Sequence, residues 1–161
     1  MKKILVSACL LGINCKYNGK NNYIEEIEEI KNRYQIISFC PEESSGLSTP
    51  RTPSEIKNGK VFSKDGRDLS AYFIRGAEKA LEICKKENIK LALLKEKSPS
   101  CGSSYIYDGS FSNKLIKSPG ITSKLLMENS IKVYSENEIK KLLKQWNFSK
   151  NLTLITYAII K

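Results

Sequence analysis

Apolar and polar positions change period several times along this chain. Residues 3–8 hold the short unbroken run Ile4-Leu5-Val6, which reads as a buried strand. Over residues 23–33, Ile24, Ile27 and Ile30 recur every third position among glutamates, predicting an amphipathic helix. Residues 34–39 return to a strand pattern. Asp68-Leu69-Ser70 opens a helix running through residues 71–87, with Phe73, Ala77, Ala80, Leu81 and Cys84 on one face. A third strand at 90–95, a helix at 121–129, a fourth strand at 131–134 and a helix at 136–146 complete the pattern. Strands separated by helices predict an α/β fold, a single compact Rossmann-like domain with a parallel sheet flanked by helices. The domain is expected over 1–146, with 147–161 as a C-terminal tail. Its stretch 152–160, apolar and β-branched, reads as an extra strand or a partner-facing segment. Two stretches without periodicity, 40–66 and 98–120, are rich in Gly, Pro and Ser and read as long loops. Loops of such length are usually functional.

Three cysteines stand where predicted strands run into these loops. Cys9 follows the first strand, Cys40 the second, and Cys101, within Ser98-Pro99-Ser100-Cys101-Gly102, the third. The carboxyl ends of parallel strands are where open α/β sheets place their chemistry. Three thiols meeting there, in a chain of 161 residues with no histidine, point to a thiophilic metal or an iron–sulfur cluster with one position left open. A lone cysteine is ordinarily a small buried hydrophobe, and Cys84 at helical spacing reads that way. Cys15 fits three roles: a fourth ligand, a pocket-lining thiol, or an ordinary loop residue. Glu42, two residues past Cys40, is placed to activate water near the metal. Ser98 and Ser100 are candidate donors to a substrate or to the loop backbone. Arg51 and Lys95 are candidates for binding an anion.

Composition narrows the setting. Five cysteines, an odd number, argue against a disulfide framework, and reduced thiols point to the cytoplasm. No run approaches the roughly 20 apolar residues that span a membrane. The net charge of +10, from 27 Lys+Arg against 17 Asp+Glu, fits attraction of a nucleotide or RNA, and equally a lysine-rich surface of compositional origin. There is no GxGxxG, hence no dinucleotide fingerprint.

The segments Val6-Ser7-Ala8-Cys9-Leu10-Leu11-Gly12, Cys40-Pro41-Glu42 with Gly46-Leu47 and Pro50-Arg51, Ser98-Pro99-Ser100-Cys101-Gly102, and Tyr107-Asp108-Gly109-Ser110-Phe111 occur in this order. Together they resemble the thiouracil desulfidase (TudS-type) family, over about residues 4–136. The resemblance implies a [4Fe-4S] cluster on Cys9, Cys40 and Cys101, with Glu42 as acid/base and Ser98 or Ser100 assisting. It implies removal of sulfur from thiolated uracil compounds, thiouracil or thio-UMP, as hydrosulfide without net redox change. The expected partner is a thiolated nucleobase or nucleotide, with RNA as a second candidate and no membrane. Two positions depart from the family pattern: Ser45-Gly46 replaces a double glycine, and Lys16-Tyr17-Asn18-Gly19 replaces Arg-Tyr-Asp-Gly. Other readings of the same residues are a cluster- or zinc-containing RNA-binding module, a tRNA thiouridine desulfidase and an electron carrier. A module with a closed structural site, or a carrier, expects four protein ligands, and Cys15 is the only candidate fourth.

Overall fold

The computed structural model describes residues 1–147, so the segment expected at 152–160 lies outside the described residues. Four strands, β1 (Lys3–Ser7), β2 (Gln35–Phe39), β5 (Leu91–Leu94) and β8 (Lys132–Ser135), form one sheet in the order β2-β1-β5-β8. Every pairing in it is parallel; Val6 stands opposite Ser38 on one side and Leu93 on the other. The four expected strands are therefore present, with ends shifted by a residue or so.

Helices cover both faces, and the two-residue period of the strands decides what each face buries. Ile4, Val6, Leu91 and Leu93 point one way, into a cluster with Ile27 and Ile30 of α1 (Ile27–Lys31) and with Ile139 and Leu142. The last two lie on the final helix, which starts at 139, after a 3-10 turn (Glu136–Glu138), and continues through 147. Leu5, Ala92 and Leu94 point the other way, onto Ala80 and Cys84 of α3 (Ser70–Lys86) and Leu126 of α4 (Ile121–Glu128). Cys84 is thus a core residue, 1% exposed. Burial pushes its thiol up to about 11.

The two expected loops are more ordered than their composition suggests. The first holds α2 (Pro41–Ser44) and an antiparallel hairpin, β3 (Ser54–Lys57) with β4 (Lys60–Ser63). The second holds β6 (Tyr105–Tyr107) paired with β7 (Leu115–Lys117). The α-helical core of the first helix is also shorter than residues 23–33, and Ile24 packs against the cluster from outside it. Gly76 of α3 lets α2 approach closely: a Cβ there would stand 2.2 Å from the Pro41 carbonyl oxygen. Among the described residues no helix is long and apolar enough to cross a membrane.

Candidate thiol-lined active site

The strand order reverses at β1, which has β2 on one side and β5 on the other. A crevice outside the carboxyl ends of the strands is expected at such a switch point. Cys9 follows β1 on a 3-10 turn (Ala8–Leu11), Cys40 follows β2, and Cys101 comes seven residues after the end of β5. All three line one small cavity of about 70 Å³, together with Cys15, Glu42, Arg51, Lys95 and Ser98.

Cys15 is the centre of the thiol cluster. It is 3% exposed and hydrogen-bonds with both Cys9 and Cys40. Those bonds, with burial and the neighbouring charges, hold the Cys15 thiol well above its usual range. The bond from Cys15 outweighs burial at Cys9, and with Asn22 and the Lys95 charge lowers that thiol to about 7. Cys40 is lowered for the same first reason. Cys101 is also buried, and burial drives its thiol upward against a hydrogen bond with Ser7.

Glu42 stands in the first turn of α2 and is fixed from one side. Arg51 donates to its Oε2 from Nε at 2.8 Å and approaches the same oxygen with Nη2 at 2.6 Å. The guanidinium also donates to the Cys15 carbonyl at 3.0 Å and the Thr49 hydroxyl at 2.9 Å. One arginine thereby ties the Cys15 loop, α2 and the segment after it into a single wall. Lys95 is held by Glu136 and by the Glu96 carbonyl at 3.1 Å, close enough to Cys9 to favour its thiolate.

The two serines separate. Ser98 lines the cavity, and its Oγ accepts from the backbone N–H groups of Ser100 at 3.1 Å and Cys101 at 3.0 Å, shaping the turn that presents Cys101. Ser100 is fully buried, shares a 2.8 Å hydrogen bond with Thr122 of α4, and is not among the cavity-lining residues. Its position is that of a packing residue between this turn and α4. Asp108, the other carboxylate of the quoted segments, is held low by Ser110 and does not line the thiol cavity.

Three further residues of the site have no role assigned from the sequence. Ser7 accepts from the Lys95 N–H at 3.0 Å, bridging β1 to the residue after β5. Asn22 hydrogen-bonds with Cys9. Glu96 is buried, yet four donors, the N–H groups of Tyr105, Ser104 and Lys97 and the Ser103 hydroxyl, surround its carboxylate. Burial raises that carboxyl, but the four donors outweigh it and hold it below the usual range. A polar residue at the end of an otherwise apolar strand was the available signal for Ser7, whereas Glu96 lies two residues past the end of β5.

Beside the thiols opens a larger cleft of about 410 Å³. It shares Lys16, Tyr17, Asn22, Lys95 and Ser98 with the small cavity, so the two are continuous in lining. Lys64, Lys97, Tyr107 and Phe111 add further cations and aromatic faces.

The model of the 2-thiouracil desulfurase family matches residues 4–138. The chain belongs to this family. It is 41% identical over 150 residues to the "Uncharacterized protein YbbK" of Bacillus subtilis (strain 168), covering 87% of this chain and 99% of that one. Its structure is similar to that of the [4Fe-4S]-dependent thiouracil desulfidase TudS, with a TM-score of 0.88 and 40% identity over 92% of this chain and 99% of that one. The expected α/β architecture is the one that both the sheet and this likeness display.

The donor set fits an iron–sulfur cluster on its own chemistry. Soft sulfur donors converge from three strand ends, no imidazole competes, and the cations Lys95 and Arg51 balance the charge of several thiolates.

Proposed function

We propose that this protein removes sulfur from thiolated uracil compounds, giving the oxo form and hydrosulfide, with a [4Fe-4S] cluster held by Cys9, Cys40 and Cys101. The observation that carries this reading is the meeting of these three strand-end thiols with an arginine-fixed glutamate in one cavity, in a chain of the 2-thiouracil desulfurase family. When bound, the cluster supplies a Lewis-acidic iron suited to a thiocarbonyl sulfur.

The protein's own groups do the rest. Arg51 occupies Oε2 of Glu42, which leaves Oε1 to take a proton from water and return it to the ring or the departing sulfur. Lys95 places a positive charge where a hydrosulfide anion leaves. Ser98 fixes the turn at Cys101 and keeps its hydroxyl hydrogen for a substrate. Oxygen replaces sulfur with no change in oxidation state, so no electron donor is consumed.

The cleft supports a substrate larger than the free base. Sites for drug-sized ligands span roughly 300–1,000 Å³, and at about 410 Å³ this cleft exceeds the needs of a single pyrimidine ring. Aromatic faces at Tyr17 and Phe111 suit stacking, and Lys16, Lys64 and Lys97 suit a phosphate. We read the substrate as a thiolated uridine nucleotide. Five unpaired cysteines fit a reducing compartment, the cytoplasm. The test compares cluster-loaded protein on thiouracil, thio-UMP and thiolated RNA, following loss of thiocarbonyl absorbance anaerobically. The nucleotide should give the highest kcat/KM. A higher value for the RNA would move the reading to a tRNA desulfidase, and turnover of none would remove the desulfidase reading.

A further inference from the structure

Cys15 is left over by the three-thiol ligand set, yet its surroundings are those of a ligand. Its sulfur, that of Cys40 and a carboxylate oxygen of Glu43 lie within 4.8 Å of one another. Cys9 lines the same cavity as Cys15 and Cys40. Tetrahedral zinc, with Zn–S about 2.3 Å and Zn–O about 2.1 Å, puts its ligand atoms roughly 3.5–3.8 Å apart, so bringing these three onto one metal needs shifts of about 1 Å, with Cys9 closing in from the same cavity. We propose that Cys9, Cys15, Cys40 and Glu43 form a site for a single thiophilic divalent cation, zinc above all, which overlaps the cluster ligands but leaves Cys101 unused.

The set is held in place. The Cys15 N–H donates to the Ile13 carbonyl at 2.8 Å, and Arg51 grips its carbonyl at 3.0 Å. Thr49 donates to Oε1 of Glu43 at 2.7 Å, which orients the carboxylate and leaves Oε2 for a metal. Cys101 instead hydrogen-bonds with Ser7. Thiolate sites bind zinc more tightly than ferrous iron. Zinc bound here takes Cys9 and Cys40 away from the cluster, so the metal supply selects the form of the protein. This last consequence rests on the cluster ligands proposed above; the zinc site itself does not.

The experiment uses reduced, iron-free protein titrated anaerobically with Zn²⁺ against a chromophoric chelator, with zinc X-ray absorption and iron analysis after reconstitution. The parent should bind one zinc with sulfur at about 2.3 Å, and should refuse the cluster until the zinc is removed. Loss of even an outer-shell partner costs about 10–100-fold in metal affinity, so Cys15→Ala should weaken zinc by about 100-fold or more. Reconstituted without zinc, the same variant should take up iron like the parent. Glu43→Gln, at an exposed position that tolerates change, should weaken zinc by about tenfold. Cys101→Ala should keep the parent's zinc affinity while losing iron. Parent-like zinc affinity in Cys15→Ala, or in Glu43→Gln should the first variant not fold, overturns the site, as does zinc loss in Cys101→Ala. Iron retention by Cys101→Ala would instead overturn the cluster ligand assignment and leave the zinc result standing.

Discussion

Arg51→Met removes the one cation that touches Glu42 among the described residues and so isolates a carboxylate next to several thiols. In the parent, the arginine and glutamate side chains are 9% and 15% exposed, and two guanidinium nitrogens meet the same carboxylate oxygen. Removing one partner of a buried pair typically costs 3–5 kcal/mol, because the other charge stays desolvated. The partial exposure of Glu42 argues for the lower end, about 3 kcal/mol. At about 2–4 °C per kcal/mol for a domain of this size, the melting temperature should fall by roughly 6–12 °C. The double variant Arg51→Met/Glu42→Gln should recover part of that loss, since it no longer buries an unpaired charge. Thermal unfolding of the four iron-free proteins of this cycle, followed by circular dichroism, gives the coupling. A drop of under about 2 °C in Arg51→Met, or a double variant no more stable than the single, would refute the clamp. Arg51→Lys should behave closer to methionine than to arginine, because a lysine cannot reach Glu42, Thr49 and the Cys15 carbonyl together.

Cluster-loaded Glu42→Gln should keep its iron and lose turnover by about 10²–10⁴-fold, the usual size of acid–base assistance; unchanged turnover would assign the proton transfer elsewhere. Glu96→Gln should be less stable than the parent at pH 7 by about 1–2 kcal/mol, since four donors favour the charged form. The lowered carboxyl stabilises the fold above the ordinary glutamate value of about 4.3 and ceases to as pH falls through its folded value, so urea titrations of the two proteins should converge in acid. In Gly120→Ala the new Cβ would lie 2.6 Å from the Ser100 backbone carbonyl, pushing on the turn that carries Cys101. Iron content and melting temperature should therefore both drop. Cys84→Ala should bind iron like the parent and lose about 1–2 kcal/mol on chemical denaturation, as a small core cavity requires.

The sheet was legible because its strands are short apolar runs and its helices carry one apolar face, signals that neighbouring residues supply by themselves. Hence the strand-end positions of Cys9, Cys40 and Cys101 are legible in the sequence. The hairpin β3–β4 also has a local signal in the sequence. Its turn is Asn58-Gly59, with φ of 50° and 74°, the pair favoured by tight hairpins, but the surrounding Gly, Pro and Ser made the stretch read as loop. Other features have no local signal. Lys95 meets Glu136 across 41 residues, and Ser100 meets Thr122 across 22, so only the folded chain shows that one serine of the Ser98-Pro99-Ser100 turn faces the cavity and the other packs against α4. Cys15 was ambiguous for the same reason. Its link to Cys40 spans a helix and a strand, and the Arg51 bond to its carbonyl spans 36 residues.

The proposed chemistry is a hydrolytic exchange of sulfur for oxygen in the cavity where three thiols meet Glu42. Isotope labelling tests it most directly: cluster-loaded protein, thio-UMP and H₂¹⁸O, anaerobic and without any reductant, with product and hydrosulfide measured together. One ¹⁸O is expected at a carbonyl of the product's uracil for each hydrosulfide released. Product formed only when an electron donor is added, or product without ¹⁸O, would contradict it.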